Sequence, residues 1–126
     1  MKAVKGFGLT LLLGTALLAG ASPATAAKPA TYKHYVACGL QASAKPSHFC
    51  PKGARKGAFF RSNKADVFYK VCVKFPNGRS LCASPQEAKQ GTLYVNKITT
   101  NIPGKHKVTW FVKGKQVGSF SFRVPS

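Results

Sequence analysis

The chain has 126 residues and carries 20 lysines and arginines against two acids, a formal net charge of +18. Its 44% hydrophobic and 11% aromatic content is too high for a chain that cannot build a core, so the charge does not signal disorder. The length allows one modest domain, and two acids far apart in sequence give no local carboxylate pair for acid–base chemistry.

The first residues, Met1-Lys2-Ala3-Val4-Lys5, form a short basic head. An apolar stretch follows from Leu9 to Ala21, then Ser22-Pro23-Ala24-Thr25-Ala26. Basic head, apolar middle and small-x-small end make the pattern of a secretory signal peptide. Cleavage is expected after Ala26, with Ala27 nearly as good. The apolar run is shorter than the about 20 residues a spanning helix needs. Ala21 stands where a lipid-anchored chain would need cysteine. The expected organisation is therefore a signal peptide at 1–26 and one domain at 27–126, secreted, with no transmembrane span. Without Lys2 and Lys5, 18 basic residues face Asp66 and Glu87, a formal +16. Such a chain attracts polyanions.

Tyr32 to Ala37 reads as a first strand. Gly39 to Pro51 is a loop with two prolines, and Ala58 to Arg61 a short strand carrying Phe59 and Phe60. From Asp66 to Phe75 apolar residues take the odd positions and mostly polar ones the even, which is a half-buried strand. Pro76-Asn77-Gly78 then suits a three-residue hairpin loop. In that register 75 faces 79, Val73 shares the inner face with Leu81, and Cys72 opposes Cys82 on the outer face. Opposed Cα atoms about 4.5–5.5 Å apart lie within disulfide range. The four cysteines allow three connectivities, and this geometry selects Cys72–Cys82 and leaves Cys38–Cys50. An even count in a small exported chain reads as a disulfide framework, and no Cys-x-x-Cys spacing suggests a metal.

Residues 84–88 read as one helical turn or a loop. Gly91 then opens Thr92-Leu93-Tyr94-Val95, followed by Lys97-Ile98-Thr99-Thr100. Lys107 to Lys113 alternates, with Val108, Trp110 and Val112 on one face, and Gly114 marks a hairpin. The last strand carries Phe120, Phe122 and Val124. A three-residue loop, or a bulge at Gly118, is expected to oppose Trp110 to Phe120 and put both rings in the core. About seven short strands with turn signals roughly every 8–12 residues indicate an all-β, two-sheet sandwich.

Pro103-Gly104-x-His106-x-Val108-x-Trp110-x-Val112, with Gly114 and Gly118-x-Phe120-x-Phe122, resembles the closing hairpin of bacterial immunoglobulin-like and fibronectin-III-like domains, and of small secreted proteins made of one such domain. The resemblance implies an immunoglobulin-like sandwich and puts His106 at the place of the corner tyrosine. Both cysteine pairs are local, unlike the inter-sheet pair of antibody domains.

No nucleophile elbow or phosphate loop is present, so no catalytic residue, cofactor or metal site is expected, and a non-enzymatic role is. His34, His48 and His106 read as loop, surface or corner residues. The densest basic segment holds Lys52, Arg55, Lys56, Arg61 and Lys64 around Phe59 and Phe60, and is the first candidate for anion binding. Lys70 and Lys74 are added from the outer face beside Cys72, with Lys105, Lys107, Lys113 and Lys115 as a further basic rim. The expected partner is an anionic envelope or extracellular polymer or a membrane surface, the protein being held ionically on the envelope. The alternatives are a protein-binding effector (a hydrolase inhibitor or toxin) that presents Lys45-Pro46-Ser47-His48 on the disulfide-tied loop, and a charge that reflects environment with no specific partner. Nucleic acid is expected to bind only non-specifically.

Overall fold

Alternation of apolar and polar side chains is clearest in Val67–Lys74 and Gly104–Val112, strands of the larger of two sheets that carry the core. A computed structural model describes residues 31–126; the expected signal peptide lies outside the described residues. The elements are β1 (Tyr32–Ala37), β2 (Lys56–Ser62), β3 (Val67–Lys74), β4 (Ser80–Cys82), β5 (Gln86–Ala88), β6 (Leu93–Ile98), β7 (Gly104–Val112) and β8 (Lys115–Val124). All strand pairings are antiparallel. One sheet has the order β1-β2-β6; the larger has β4-β3-β7-β8, with β5 also on β3. Two facing antiparallel sheets in this order form an immunoglobulin-like sandwich, with no fourth strand beyond β6 among the described residues.

The core lies between the sheets. Odd residues of β3 and even residues of β7 point inward, so Tyr69, Val71, Val108 and Trp110 are buried. Phe60 of β2 stacks on Tyr69 across the gap, centroids 4.3 Å apart. The Tyr69 hydroxyl donates to Asn96 Oδ1 at 2.7 Å, and burial pushes its pKa up to about 12. β2 is longer than expected and buried on both faces: Phe59 points away from the main core and stacks on Tyr35, centroids 4.9 Å apart.

The hairpin of β3 and β4 has the expected loop. Phe75 N–H donates to the Arg79 carbonyl at 2.8 Å, and Gly78 takes φ +88°. Cys72 faces Cys82 and Val73 faces Leu81. Leu81, however, is 68% exposed, because an open depression of about 270 Å³ separates it from Ala58, Asn96 and Ile98 of the smaller sheet. Both disulfides are as expected, with Cα separations of 5.4 Å for Cys38–Cys50 and 4.0 Å for Cys72–Cys82.

Two expectations are corrected. Residues 86–88 are neither helix nor loop but an eighth strand, drawn out by pairing Phe68 with Glu87. In the last hairpin Trp110 faces Gly118, and Phe120 faces Val108. The loop is two residues, Lys113 and Gly114, both at positive φ as a type I′ turn requires. A bulge between Trp110 and Phe111 then absorbs Val117. Gly118 leaves room for the His34 ring, whose Nε2 a β-carbon there would strike. That ring lies 5.2 Å from the Trp110 ring.

The loop tied by Cys38–Cys50 closes one side of the sandwich. Ser47 N–H donates to the Val36 carbonyl on β1 at 2.9 Å. Two further bonds join His48 and Cys50 to Arg123 on β8, at 2.8 and 3.0 Å. The outer edge of β8 is thereby covered, one way a sheet protects an edge from foreign pairing.

Candidate functional site: a cationic sheet face

In a strand, alternate residues share a face, and the register sets their neighbours. On the larger sheet the outer residues of β3 are Phe68, Lys70, Cys72 and Lys74, and those of β7 include Lys105, Lys107, Thr109 and Phe111. The ladder sets Lys70 beside Phe111, Cys72 beside Thr109 and Lys74 beside Lys107. On the other side of β7, Lys105 lies beside Arg123 of β8. Two like-charge pairs therefore stand directly opposite one another on one face, an arrangement that costs stability. A third, Lys33 beside Arg61, lies on the smaller sheet, where the Arg61 guanidinium donates to Asn63 Oδ1 at 2.8 Å.

Neither carboxylate relieves these pairs. Asp66 and Glu87 both converge on Lys89, with Nζ–O distances of 3.8 and 3.2 Å. Among the described residues these are the ion pairs, and Asp66 also accepts from the Gln90 N–H at 2.8 Å. The hydrogen bond from Lys89 to Glu87, then the two negative charges, raise the Lys89 pKa.

Aromatic rings share the face with the cations. Phe68 is 63% exposed, and Phe111 carries the Lys70 ammonium 5.4 Å from its ring centroid. Phe49 is 51% exposed and level with Arg123 in a short parallel bridge. Two depressions meet at Phe111. One, of about 240 Å³, is lined by Phe68, Lys70, Pro85, Phe111 and Lys113. The other, of about 370 Å³, lies over Cys72–Cys82 and is lined by Lys74, Ser80, Lys107 and Thr109.

The basic segment favoured by sequence density does not form a patch. Lys52 and Arg55 are exposed before β2, and Lys64 beyond its far end. Arg61 is half-buried near that far end. The strand between them is seven residues, about 20 Å long. Lys56 is 2% exposed, its ammonium donating to the Ala54 carbonyl at 2.6 Å, and burial lowers its pKa. It is a core residue and not part of a binding surface. Lys74 is brought beside Lys107, with Lys105 two residues away on β7, whereas Lys70 lies at the other end of the face beside Phe111. Arg123, Phe111 and Phe49 were not singled out in sequence. The alternation of residues 105–113 shows which of them share a face, but not that β7 lies beside β3.

The histidines stand apart. His106 is fully buried at the corner: Nδ1 donates to the Gly104 carbonyl at 3.1 Å, and Nε2 meets Thr100 Oγ1 at 3.0 Å. An imidazole thus makes the corner bond expected of tyrosine. His48 stacks on Phe120, centroids 4.1 Å apart, and its Nδ1 lies 2.6 Å from the Ser121 carbonyl, so the backbone ladder and this ring hold most of the proposed presentation loop against β8. Among the described residues no three histidines, cysteines or carboxylates gather as metal ligands, and no helix is long and apolar enough to cross a membrane.

No family model and no curated protein matches the sequence. An immunoglobulin-like protein from Pseudomonas aeruginosa is similar in structure, at 14% identity and TM-score 0.44, over 74% of this chain and 90% of that one. The Pseudomonas fluorescens alkylpurine DNA glycosylase AlkC, solved bound to DNA containing an abasic site analogue, matches at 17% identity and TM-score 0.45. That match covers 77% of this chain, which spans only 31% of the glycosylase chain. The immunoglobulin-like character is carried by the strand order itself.

Proposed function

We propose that this protein is a secreted, non-enzymatic binding domain that engages anionic polymers of the cell envelope or extracellular space through the outer face of its larger sheet. The observation that carries the reading is the pair of like-charge contacts, Lys74 with Lys107 and Lys105 with Arg123, left without a carboxylate. Such a face gains free energy when an anion bridges its cations, and releases counterions from the polymer as it does so. Two disulfides fit an oxidising compartment, where envelope polyanions are the first partners met. The second reading, a loop-borne protein contact, keeps only the exposed tip at Gln41, Ala42, Ser43 and Lys45, since residues 46–50 are spent on the sheet edges.

The test is retention on isolated cell walls and on anionic vesicles, with neutral vesicles as control. Retention on the anionic surfaces should fall steeply as salt is raised through the physiological range, and neutral vesicles should retain nothing. Retention indifferent to salt, or equal on both vesicle types, would falsify this reading.

A further inference from the structure

Charge alone asks for no aromatic rings, yet two exposed phenylalanines, Phe68 and Phe49, and the half-buried Phe111 stand on or beside the same sheet face. A single exposed phenylalanine is ordinary on a protein surface. Here their positions follow the cations. Phe111 stands directly opposite Lys70, and Phe68, two residues before Lys70 on β3, is the diagonal neighbour of Phe111. Diagonal neighbours on one sheet face are about 7–8 Å apart. The space between the two side chains is a depression of about 240 Å³. The depression between them has Pro85 as a further apolar wall and Lys70 and Lys113 at its edge. Past Phe111 the surface turns cationic and hydroxylic, with Lys74, Lys107, Ser80 and Thr109. Beyond that lie Lys105, Arg123 and Phe49. The face thus runs from a ring slot at Phe68 and Phe111, through two adjacent cation pairs, to the Phe49 ring beside Arg123.

We propose that this face binds single-stranded polynucleotide, with a base seated between Phe68 and Phe111, phosphates on the Lys74–Lys107 and Lys105–Arg123 pairs, and a further base against Phe49. This rests on the anionic-polymer reading and names the polymer. A strand of nucleotides carries planar rings beside negative charges, and the face offers rings at its two ends with two cation pairs between them. The donors here are ammonium and guanidinium groups, which suit phosphate oxygens. Stacking on aromatic side chains above a basic groove is tolerant of base sequence, because every base presents a flat face. In a duplex the bases are already stacked on one another and offer nothing to Phe111. The Lys70 ammonium lies over the half-buried Phe111 in a cation–π contact, and an arriving base can displace it toward a phosphate.

The experiment uses the oxidised protein and three probes at one fixed ionic strength. They are a labelled oligothymidylate, a duplex of the same length, and inorganic polyphosphate of matched charge. Binding is read by anisotropy and by competition. The oligothymidylate should bind at least about tenfold tighter than either of the others, a fold-change within the range set by stacking one base. Phe111→Ala should remove most of that preference and leave polyphosphate affinity unchanged. Phe68→Ala, at an exposed position whose loss does not touch the core, should remove part of it and guards against a folding defect in the first variant. If polyphosphate binds as tightly as oligothymidylate and both variants behave as the parent, charge is the whole recognition: this inference falls and the anionic-polymer reading stands. If a sulfated glycan displaces oligothymidylate at lower concentration than oligothymidylate displaces itself, the rings select a sugar polymer and this inference falls. If no polyanion binds with salt dependence, both fall together.

Discussion

His106 shows how one buried side chain ties the corner of the sandwich to pH. The Gly104 carbonyl can only accept, so Nδ1 carries the proton. Nε2 is then the acceptor for the Thr100 hydroxyl, whose oxygen in turn takes the Ile102 N–H at 3.2 Å. The ring stacks on Phe122 and meets the edge of Phe75, both apolar. Burial lowers its pKa most, the bond to Gly104 opposes this, and the Lys56 ammonium lowers it further. Burial lowers the His34 pKa in the same direction. In the unfolded chain these rings protonate near the ordinary 6.5. The folded chain resists until lower pH. Below 6.5 the unfolded state therefore binds more protons, and stability that is complete above that value is lost as pH falls. The midpoint of urea unfolding should decline from about pH 7.5 to about pH 5, and His106→Phe should flatten that decline. At alkaline pH the same variant should cost about 1–3 kcal/mol, because the buried Thr100 hydroxyl loses the acceptor of its proton. A midpoint that rises on acidification contradicts this account.

At the scale of elements, the two disulfides close loops of similar length, with sequence separations of 12 and 10. Chain entropy alone assigns each about 3 kcal/mol. Packing separates them. Cys50 is fully buried, and its strap holds the edges of β1 and β8 together, whereas β4 is three exposed residues at the rim. Cys38→Ala with Cys50→Ala should therefore cost about 1–2 kcal/mol more than Cys72→Ala with Cys82→Ala, the added loss being that of buried volume. Urea unfolding of the two double variants measures it, and equal losses contradict it. The same contrast explains what could be read from the sequence. The β3–β4 hairpin was legible because turn chemistry and residue parity agree on one register. β5 was not: Gln86-Glu87-Ala88 has no strand character of its own and extends only because β3 offers it an edge. The last loop was misplaced because Lys113 takes φ 53°, a conformation lysine rarely adopts and its neighbours do not announce. The basic cluster misled in a similar way. Closeness in sequence along a strand is distance in space, so Arg55 and Lys64 separate, while residues 33 positions apart, Lys74 and Lys107, meet.

At the scale of the whole molecule, stability and binding make opposite demands on the same charges. With two acids spent on Lys89, the described lysines and arginines repel across the ladder at Lys74–Lys107 and Lys105–Arg123. Lys107→Glu turns the first contact into an attraction, which should stabilise the fold by about 1 kcal/mol at low salt. The gain should shrink as salt screens it. The same change should weaken polyanion binding and reduce the slope of log affinity against log salt by about one. Lys33→Glu is the matched control, since it relieves the like-charge contact with Arg61 by the same change of two charges, but on the other sheet. Both variants should gain stability in urea, and only Lys107→Glu should lose most of its affinity. Equal losses of affinity would mean that net charge binds the polymer and that no one face is the site. A loss confined to Lys107→Glu, together with a more stable protein, would mean that the repulsion on the larger sheet is held in place for the anion that relieves it.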